Sequence, residues 1–371
     1  MDFLPYVRHE VTTADVAAVV RVLASDRLAQ GPEVEALEAA LLEHLDMAGP
    51  VVACSSGTAA LHLAMMAMGV RPGDRVITTP ITFCATVNAI RYCGGRPKFV
   101  DVDPLTLNLD LKLVEMALEE RKGNDDAPVG ILAVHYAGRP CDMRALREIA
   151  NRHHVWLVED ACHALGARFS NGVPVGAAYA NATCFSFHPA KHVAAGEGGA
   201  VVFPDKRLAA WAYGLRDHGR DRRGAMFALG CNYRMDEMSA ALARSQLGRL
   251  DANIGKLKYY VSMYLERLGG LSPEDFRCPP WDHNSAWHLF SCWAKDRLAL
   301  REHLEAMGIG TQVHYQPVYL QPYYQQEGLG YEGLCPVAEE AYGHQVSLPL
   351  FASMTAADVN RVCAAVKEFY E

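Results

Sequence analysis

The sequence lacks what a membrane protein, a secreted scaffold or a nucleic-acid binder needs. No apolar run approaches the roughly 20 residues that cross a bilayer; even LHLAMMAMGV stops at Arg71-Pro72-Gly73-Asp74. The opening MDFLPYVRHEV has neither the basic nor the apolar region of a signal peptide. The 11 cysteines are an odd number and include no C-x-x-C pair. These absences lead to the expectation of a soluble, cytoplasmic protein with reduced thiols and no membrane attachment. Positive charge is also scarce: 35 Lys and Arg against 43 Asp and Glu leave a formal net charge of −8. The molecule as a whole therefore repels nucleic acid and anionic lipid, and an anionic ligand must be held by local cations. No G-x-G-x-x-G follows the first strand-like run and no G-x-x-x-x-G-K-[ST] occurs, which sets aside a nicotinamide dehydrogenase and a P-loop enzyme. Internal repeats and low-complexity tracts are missing too.

What is present is a long, half-hydrophobic chain. Its 371 residues, 50% of them hydrophobic, suffice for a large core and a smaller one at about 100–200 residues per domain. Two amphipathic helices are expected at 14–25 and 33–45, separated by the break at Gly31-Pro32. After them, β-rich runs (PVVAC, RVITT, PKFVDV, GILAVHY, VWLVED) alternate with helical ones (GTAALHLAMMAMG, CATVNAIRYCG, LKLVEMALEER, MRALREIANRH). That alternation predicts βαβ units, and so an α/β fold: a large domain over 1–245 with a mainly parallel, mixed sheet covered by helices on both sides. An unusually long helical stretch, 235–268, is expected to lead out of it into a small C-terminal α+β domain over 246–371. There the expected strands are AWHLFSCW and GTQVHY, and the expected helices 297–306 and 355–370.

Ligands of open parallel sheets collect at the carboxyl ends of the strands, so the polar residues just after strands come first. VVACSSGTAALHL passes from strand through Ser55-Ser56-Gly57-Thr58 into a helix, which aims N–H groups and the helix dipole at an anion; a simple N-cap reads the same way. VWLVEDACHALGA leaves Glu159 and Asp160 at the end of an apolar strand, where a carboxylate is paired or useful. Cys162-His163 beside them suggests a thiol nucleophile only weakly, because such pairs are assembled by the fold and not by adjacency. TTPITFCATVNA puts Phe83 at another strand end, where an aromatic is equally at home in a core. In FSFHPAKHVAAGEGGAVVF, Lys191 stands among apolar and small residues. Loss of solvation there lowers an amine's pKa and makes it a nucleophile toward an aldehyde. His188 and His192 have a metal-pair spacing, but Pro189 between them denies them a common helix face, and no metal site is expected. The four stretches together meet the needs of pyridoxal phosphate: a lysine for its aldehyde, a carboxylate for its ring nitrogen, an anion cradle for its phosphate and an aromatic face for its ring.

With LAQGPEVEALE, HYAGRPCDM, LRDHG, NYRMDEMSAALARSQL, VHYQPVYLQPYY and VSLPLF, these stretches resemble the DegT/DnrJ/StrS family of nucleotide-sugar aminotransferases over nearly the whole chain. The resemblance implies the fold type I architecture and pyridoxal 5'-phosphate as cofactor, carried as pyridoxamine phosphate between half-reactions. It further implies that Lys191 forms the Schiff base, Asp160 pairs with the pyridinium nitrogen, His163 lies near the ring hydroxyl and Phe83 stacks on the ring. Thr58, Ala59 and Ser186 would hold the phosphate, and Asn232 would reach across from a partner subunit, so that a homodimer shares its active sites. The donor implied is L-glutamate and the acceptor a nucleotide-linked 4-keto sugar. Within the family, SFHPAK, His163, AWHLF and VHYQPVYLQPYY are most similar to the C4 aminotransferases of UDP-4-keto sugars. Foremost among these is the pseudaminic-acid branch that makes UDP-4-amino-4,6-dideoxy-N-acetyl-β-L-altrosamine. UDP-4-keto-arabinose, legionaminic and perosamine types are the alternatives. Arg216 and Arg234, clustered in sequence with Arg220, Arg222 and Arg223, are candidates for the diphosphate, and His314 and Tyr315 for the sugar-nucleotide entrance. A dehydratase branch carries histidine in place of the lysine, and a non-enzymatic sensor or scaffold would have lost Lys191 or Asp160; both residues are present.

Overall fold

The β-rich runs form a seven-stranded sheet in this computed structural model, which describes residues 2–47, 49–120 and 127–370. In chain order the strands are β1 (Val51–Cys54), β2 (Arg75–Thr78), β3 (Arg96–Phe99), β4 (Pro128–Val134), β5 (Trp156–Asp160), β6 (Ala182–Ser186) and β7 (Gly199–Val202). They lie side by side as β1-β7-β6-β5-β4-β2-β3. β7 runs antiparallel to both neighbours, and the other pairings are parallel, so the mixed, mainly parallel sheet read from the sequence is what forms. Successive side chains of a strand go to opposite faces. Val51, Ile77, Ile131 and Leu157 enter one hydrophobic cluster, while Val52, Val76, Leu132 and Val158 enter a second. Both faces are buried under helices, which is why these strands read as unbroken apolar runs.

A second, antiparallel sheet holds β8 (Phe276–Arg277), β9 (Phe290–Ala294) and β10 (Gln345–Leu348) in the order β10-β9-β8. Its core gathers Tyr264, Phe290, Leu300, Val346 and Val359, together with Leu4 from the start of the chain. The helical stretch 235–268 is two helices, Glu237–Leu247 and Leu250–Leu268, parted at Gly248. The second of them joins the two cores: Leu250 and Ile254 pack in the first, and Leu257 to Leu268 in the other.

Two departures from the sequence reading matter for the site. GTQVHY is not a strand; it keeps only an isolated bridge from Gln312 to Ser347 and is otherwise irregular, which frees His314 and Tyr315 to face inward. Only the FSCW part of AWHLFSCW enters β9, and Trp287 just before it has φ 54°, a left-handed backbone that no strand accommodates. The helix expected from LKLVEMALEER runs Leu111–Glu119, and Arg121 lies outside the described residues.

The topology fixes where chemistry can occur. β1, β2, β4, β5 and β6 all end at one edge, and antiparallel β7 begins there, since Ser186 pairs with Gly199. A Cβ on Gly199 would lie 2.4 Å from Ser56 O and 2.8 Å from Gly57 N, so glycine lets the chain after β1 close against β7. Among the described residues no helix is long and apolar enough to cross a membrane.

Candidate active site

A cavity of about 660 Å³ opens at that edge, lined by Thr58, Phe83, Asp160, His163, Ser186, Lys191, His314 and Tyr315 among others. Six of the cofactor positions named from the sequence thus share one space. Thr58 is the second residue of the helix Gly57–Ala67, whose first-turn N–H groups have no acceptor within the helix. Ser56 Oγ accepts the Ala59 N–H at 3.0 Å, and the Ala59 side chain is buried behind the cavity wall. Ala59 therefore shapes the helix start, while Gly57, Thr58 and Ser186 face the space. A Cβ on Gly57 would meet Ser186 Cβ at 2.7 Å, so the helix start and the end of β6 are in close contact.

Asp160, the last residue of β5, is 5% exposed. Its Oδ2 accepts the hydroxyl of Thr86 at 2.6 Å and its Oδ1 the N–H of Cys162 at 3.1 Å. Thr86 Oγ1 also lies 2.7 Å from Thr82 Oγ1; with the Thr86 proton given to the carboxylate, Thr82 is the donor of that pair. The neighbouring Glu159 points to the other face of the sheet. There it accepts the hydroxyl of Thr183 at 3.1 Å and faces His135 Nε2 at 3.5 Å, a structural pair with no access to the cavity.

Lys191 lines the same cavity as Asp160. Burial pulls its amine below the ordinary lysine value, opposed by Cys162 and Asp160. Its Nζ stands 3.4 Å from His288 Nε2. His163 stacks against Tyr315, with its Nε2 3.2 Å from the tyrosine hydroxyl, and its buried Nδ1 has no partner. Burial, then Lys191, His314 and His192, hold His163 well below its usual pKa, so the ring is neutral. His314 is pushed down to about 3 by burial and Lys191, and its Nδ1 lies 2.8 Å from Ser347 Oγ. Burial drives the Cys162 thiol well up, which removes it as a nucleophile. Phe83, 57% exposed, stands at the rim 6.3 Å from the Tyr315 ring.

Other candidates are elsewhere. Arg216 and Arg234 line a different cavity, with Arg220, Arg222 and Arg223. Arg216 Nη1 donates to Glu38 at 3.0 Å and to Ala53 O at 2.6 Å, so within this chain it ties helix Pro32–His44 to β1. Arg234 pairs with Asp217. Asn232 is exposed outside the Lys191 cavity and bridges to Asp217. His188 Nδ1 accepts the Ala190 N–H at 3.2 Å, and His192 Nε2 lies 3.0 Å from Ala286 O, so the two imidazoles serve different neighbours. Sequence reasoning missed Thr82, Thr86 and His288. Threonine at a helix start looks like a cap, and His288 was legible only as part of AWHLF, with nothing local to join it to a lysine 97 positions earlier.

Known proteins share this architecture. DesV from S. venezuelae superimposes with a TM-score of 0.92 at 35% identity, covering 100% of this chain and 99% of its own. Helicobacter pylori PseC, described as an aminotransferase involved in the biosynthesis of pseudoaminic acid, gives 0.90 at 29%, again covering 100% of this chain and 99% of its own. NtdA from Bacillus subtilis, solved with bound PMP, gives 0.87 at 28% over 96% of this chain and 82% of its own. Residues 9–367, and with them both sheets and the Lys191 cavity apart from Tyr6 and Val7, match the model of one family, and the chain belongs to it: the DegT/DnrJ/EryC1/StrS aminotransferase family.

Proposed function

We propose that the protein is a pyridoxal-phosphate-dependent aminotransferase that moves the amino group of L-glutamate to the C4 ketone of a nucleotide-linked 4-keto-6-deoxy sugar. The observation that carries this reading is a half-buried lysine with lowered pKa that lines one cavity together with an anchored carboxylate. The residues fit the cofactor. His163 keeps an unpartnered Nδ1 in the cavity wall, and the first turn of Gly57–Ala67 presents N–H groups suited to a phosphate. Pyridoxal phosphate, when bound, supplies an aldehyde that exchanges amines and a ring that accepts the electron pair left at carbon. Asp160 would hold the proton on the ring nitrogen, fixed in place by Thr86 and the Cys162 N–H. Lys191, released as a free amine, would take the proton from the donor α-carbon and return it at the carbon that was the cofactor's aldehyde. His314 and Tyr315 would wall the side from which the sugar enters.

The sugar we favour is the UDP-linked precursor of UDP-4-amino-4,6-dideoxy-N-acetyl-β-L-altrosamine, on the AWHLF, SFHPAK and VHYQPVYLQPYY motifs. In this reading the protein acts in the cytoplasm as a homodimer. The exposed Asn232 and the arginine-lined cavity of one protomer would complete the site of its partner, because among the described residues Lys191 is the only Lys or Arg lining its own cavity. The test is the visible spectrum of the purified protein on addition of pyridoxal phosphate, then glutamate, then UDP-4-keto sugars in turn. A bound chromophore bleached by glutamate and restored by one sugar is expected, with Lys191→Ala abolishing the cycle. A protein that stays colourless with added pyridoxal phosphate, or full turnover by Lys191→Ala, overturns the reading.

A further inference from the structure

Lys191 must be a free amine for half of the cycle proposed above. Its Nζ lies 3.4 Å from His288 Nε2. His288 is held there by an unusual amount of backbone. Trp287 has φ 54° and Ala137 opposite it φ 57°, both left-handed without being glycine. Two such residues facing each other persist only where the surrounding contacts impose them. Ala137 O accepts the N–H of His288 at 2.9 Å, and Gly138 O accepts that of Ala286 at 3.0 Å. Gly138, at φ 89°, admits the approach: a Cβ there would lie 2.9 Å from His288 N and 2.7 Å from His163 O. Trp287 is pinned by Nε1–H donation to Asp282 O at 3.1 Å and N–H donation to Ser285 Oγ at 3.0 Å. His192, next to Lys191 in sequence, donates Nε2–H to Ala286 O at 3.0 Å, which ties the two segments together.

The groups around this contact are Asp160, Cys162, His163, His192 and His314. His288 is buried, and burial, followed by Lys191, His163, His192 and His314, depresses its basicity. Its ring centroid is 4.3 Å from that of His163, too close for two imidazolium ions in a dry site. A neutral imidazole has one lone pair, and because a protonated Nζ can only donate, the tautomer that serves this contact carries that lone pair on Nε2.

We propose that His288 is a positioning residue for the transamination: its Nε2 accepts an N–H of the Lys191 amine whenever that amine is not linked to the cofactor, and so aims it at the carbon whose proton it moves. This rests on the pyridoxal phosphate reading above. Nothing is oxidised or reduced, and the proton stays on Lys191 until it is delivered to carbon.

The test begins on cofactor-free protein: pulse labelling with acetic anhydride across pH, with modification at Lys191 read by mass spectrometry. An ammonium is a stronger donor than an amine, so removing the acceptor favours the amine. In His288→Phe the labelling midpoint moves about one unit to lower pH. His288→Asn, too short to reach Nζ, behaves like Phe, and His288→Gln recovers most of the midpoint. In loaded enzyme His288→Phe lowers kcat with glutamate about tenfold or more and leaves KM within about twofold, and the acid limb of kcat moves to lower pH. An unchanged midpoint and unchanged kcat in both His288→Phe and His288→Asn overturn the proposal. Failure of the wild type to bind pyridoxal phosphate would overturn the cofactor reading instead, and the labelling result would stand apart from it.

Discussion

Thr86→Val tests whether Asp160 works as an anchored carboxylate. Thr86 is 1% exposed in the helix Cys84–Tyr92, and valine has nearly its shape, so the substitution removes one hydroxyl and little else. That hydroxyl donates to Asp160 Oδ2 at 2.6 Å and receives a bond from Thr82, so a two-link chain that ends on the carboxylate is cut. A hydrogen bond to a charged group is worth about 1.5–3 kcal/mol. Asp160 keeps the Cys162 N–H, so the expected loss is near the middle of that range, about 2 kcal/mol or roughly 30-fold. Single-turnover bleaching of the chromophore by glutamate measures it, with Thr86→Ser retaining most of the rate. The argument also demands non-additivity. In an Asp160→Asn background Thr86→Val should cost almost nothing further, because the anchored charge is already gone. An undiminished rate in Thr86→Val, or full additivity with Asp160→Asn, would refute the reasoning.

Two further outcomes concern stability. Helix Pro32–His44 starts at Gly31 without a side-chain cap of its own and borrows the carboxylate of Glu237, 1% exposed, which accepts N–H bonds from Gly31, Glu33 and Val34 at 2.9, 2.7 and 3.4 Å. Glu237→Ala should cost about 3 kcal/mol in urea unfolding by leaving these donors buried and unmet; a change under about 1 kcal/mol would show that the helix start repacks. Asp15, fully buried, pairs through both oxygens with Arg249 at 2.9 and 2.7 Å. Burial opposes its ionisation, but Arg249 and the Thr12 N–H outweigh that and hold its carboxyl well below the usual carboxylate range. The resulting stability is present above about pH 4 and is lost as pH falls further toward the folded value. Asp15→Asn should destabilise by about 3 kcal/mol at neutral pH and flatten the acid slope below about pH 4; an unchanged acid slope would remove the pair from the account.

The candidates Asp160 and Thr58 were legible because each sits where a strand ends, and strand ends are marked by a change from apolar run to polar residue. Ser186 also ends a strand but was named only through the family resemblance, and the sheet order brings these edges together. Lys191 was legible by contrast, as a charge among small apolar residues. What the arginines face was not legible in this way. Clustering in sequence says that cations are near one another, not what they face, and Arg216 faces Glu38. GTQVHY has the composition of a strand, yet its backbone makes only one bridge, from Gln312 to Ser347 at the free edge of β10.

By itself the sequence determined the α/β class, the alternating order of strands and helices, and the lysine, carboxylate, helix start and aromatic that one cofactor needs. These follow from local physics: apolar periodicity, capping and the cost of burying charge. The tertiary structure alone decided which of those residues meet, that Glu159 and Asp160 part to opposite faces of the sheet, and that Thr86 and His288 stand behind Asp160 and Lys191. A hydrogen bond depends on distance and direction in space, and residues 74 or 97 positions apart acquire these only when the sheet and the helices around it have closed.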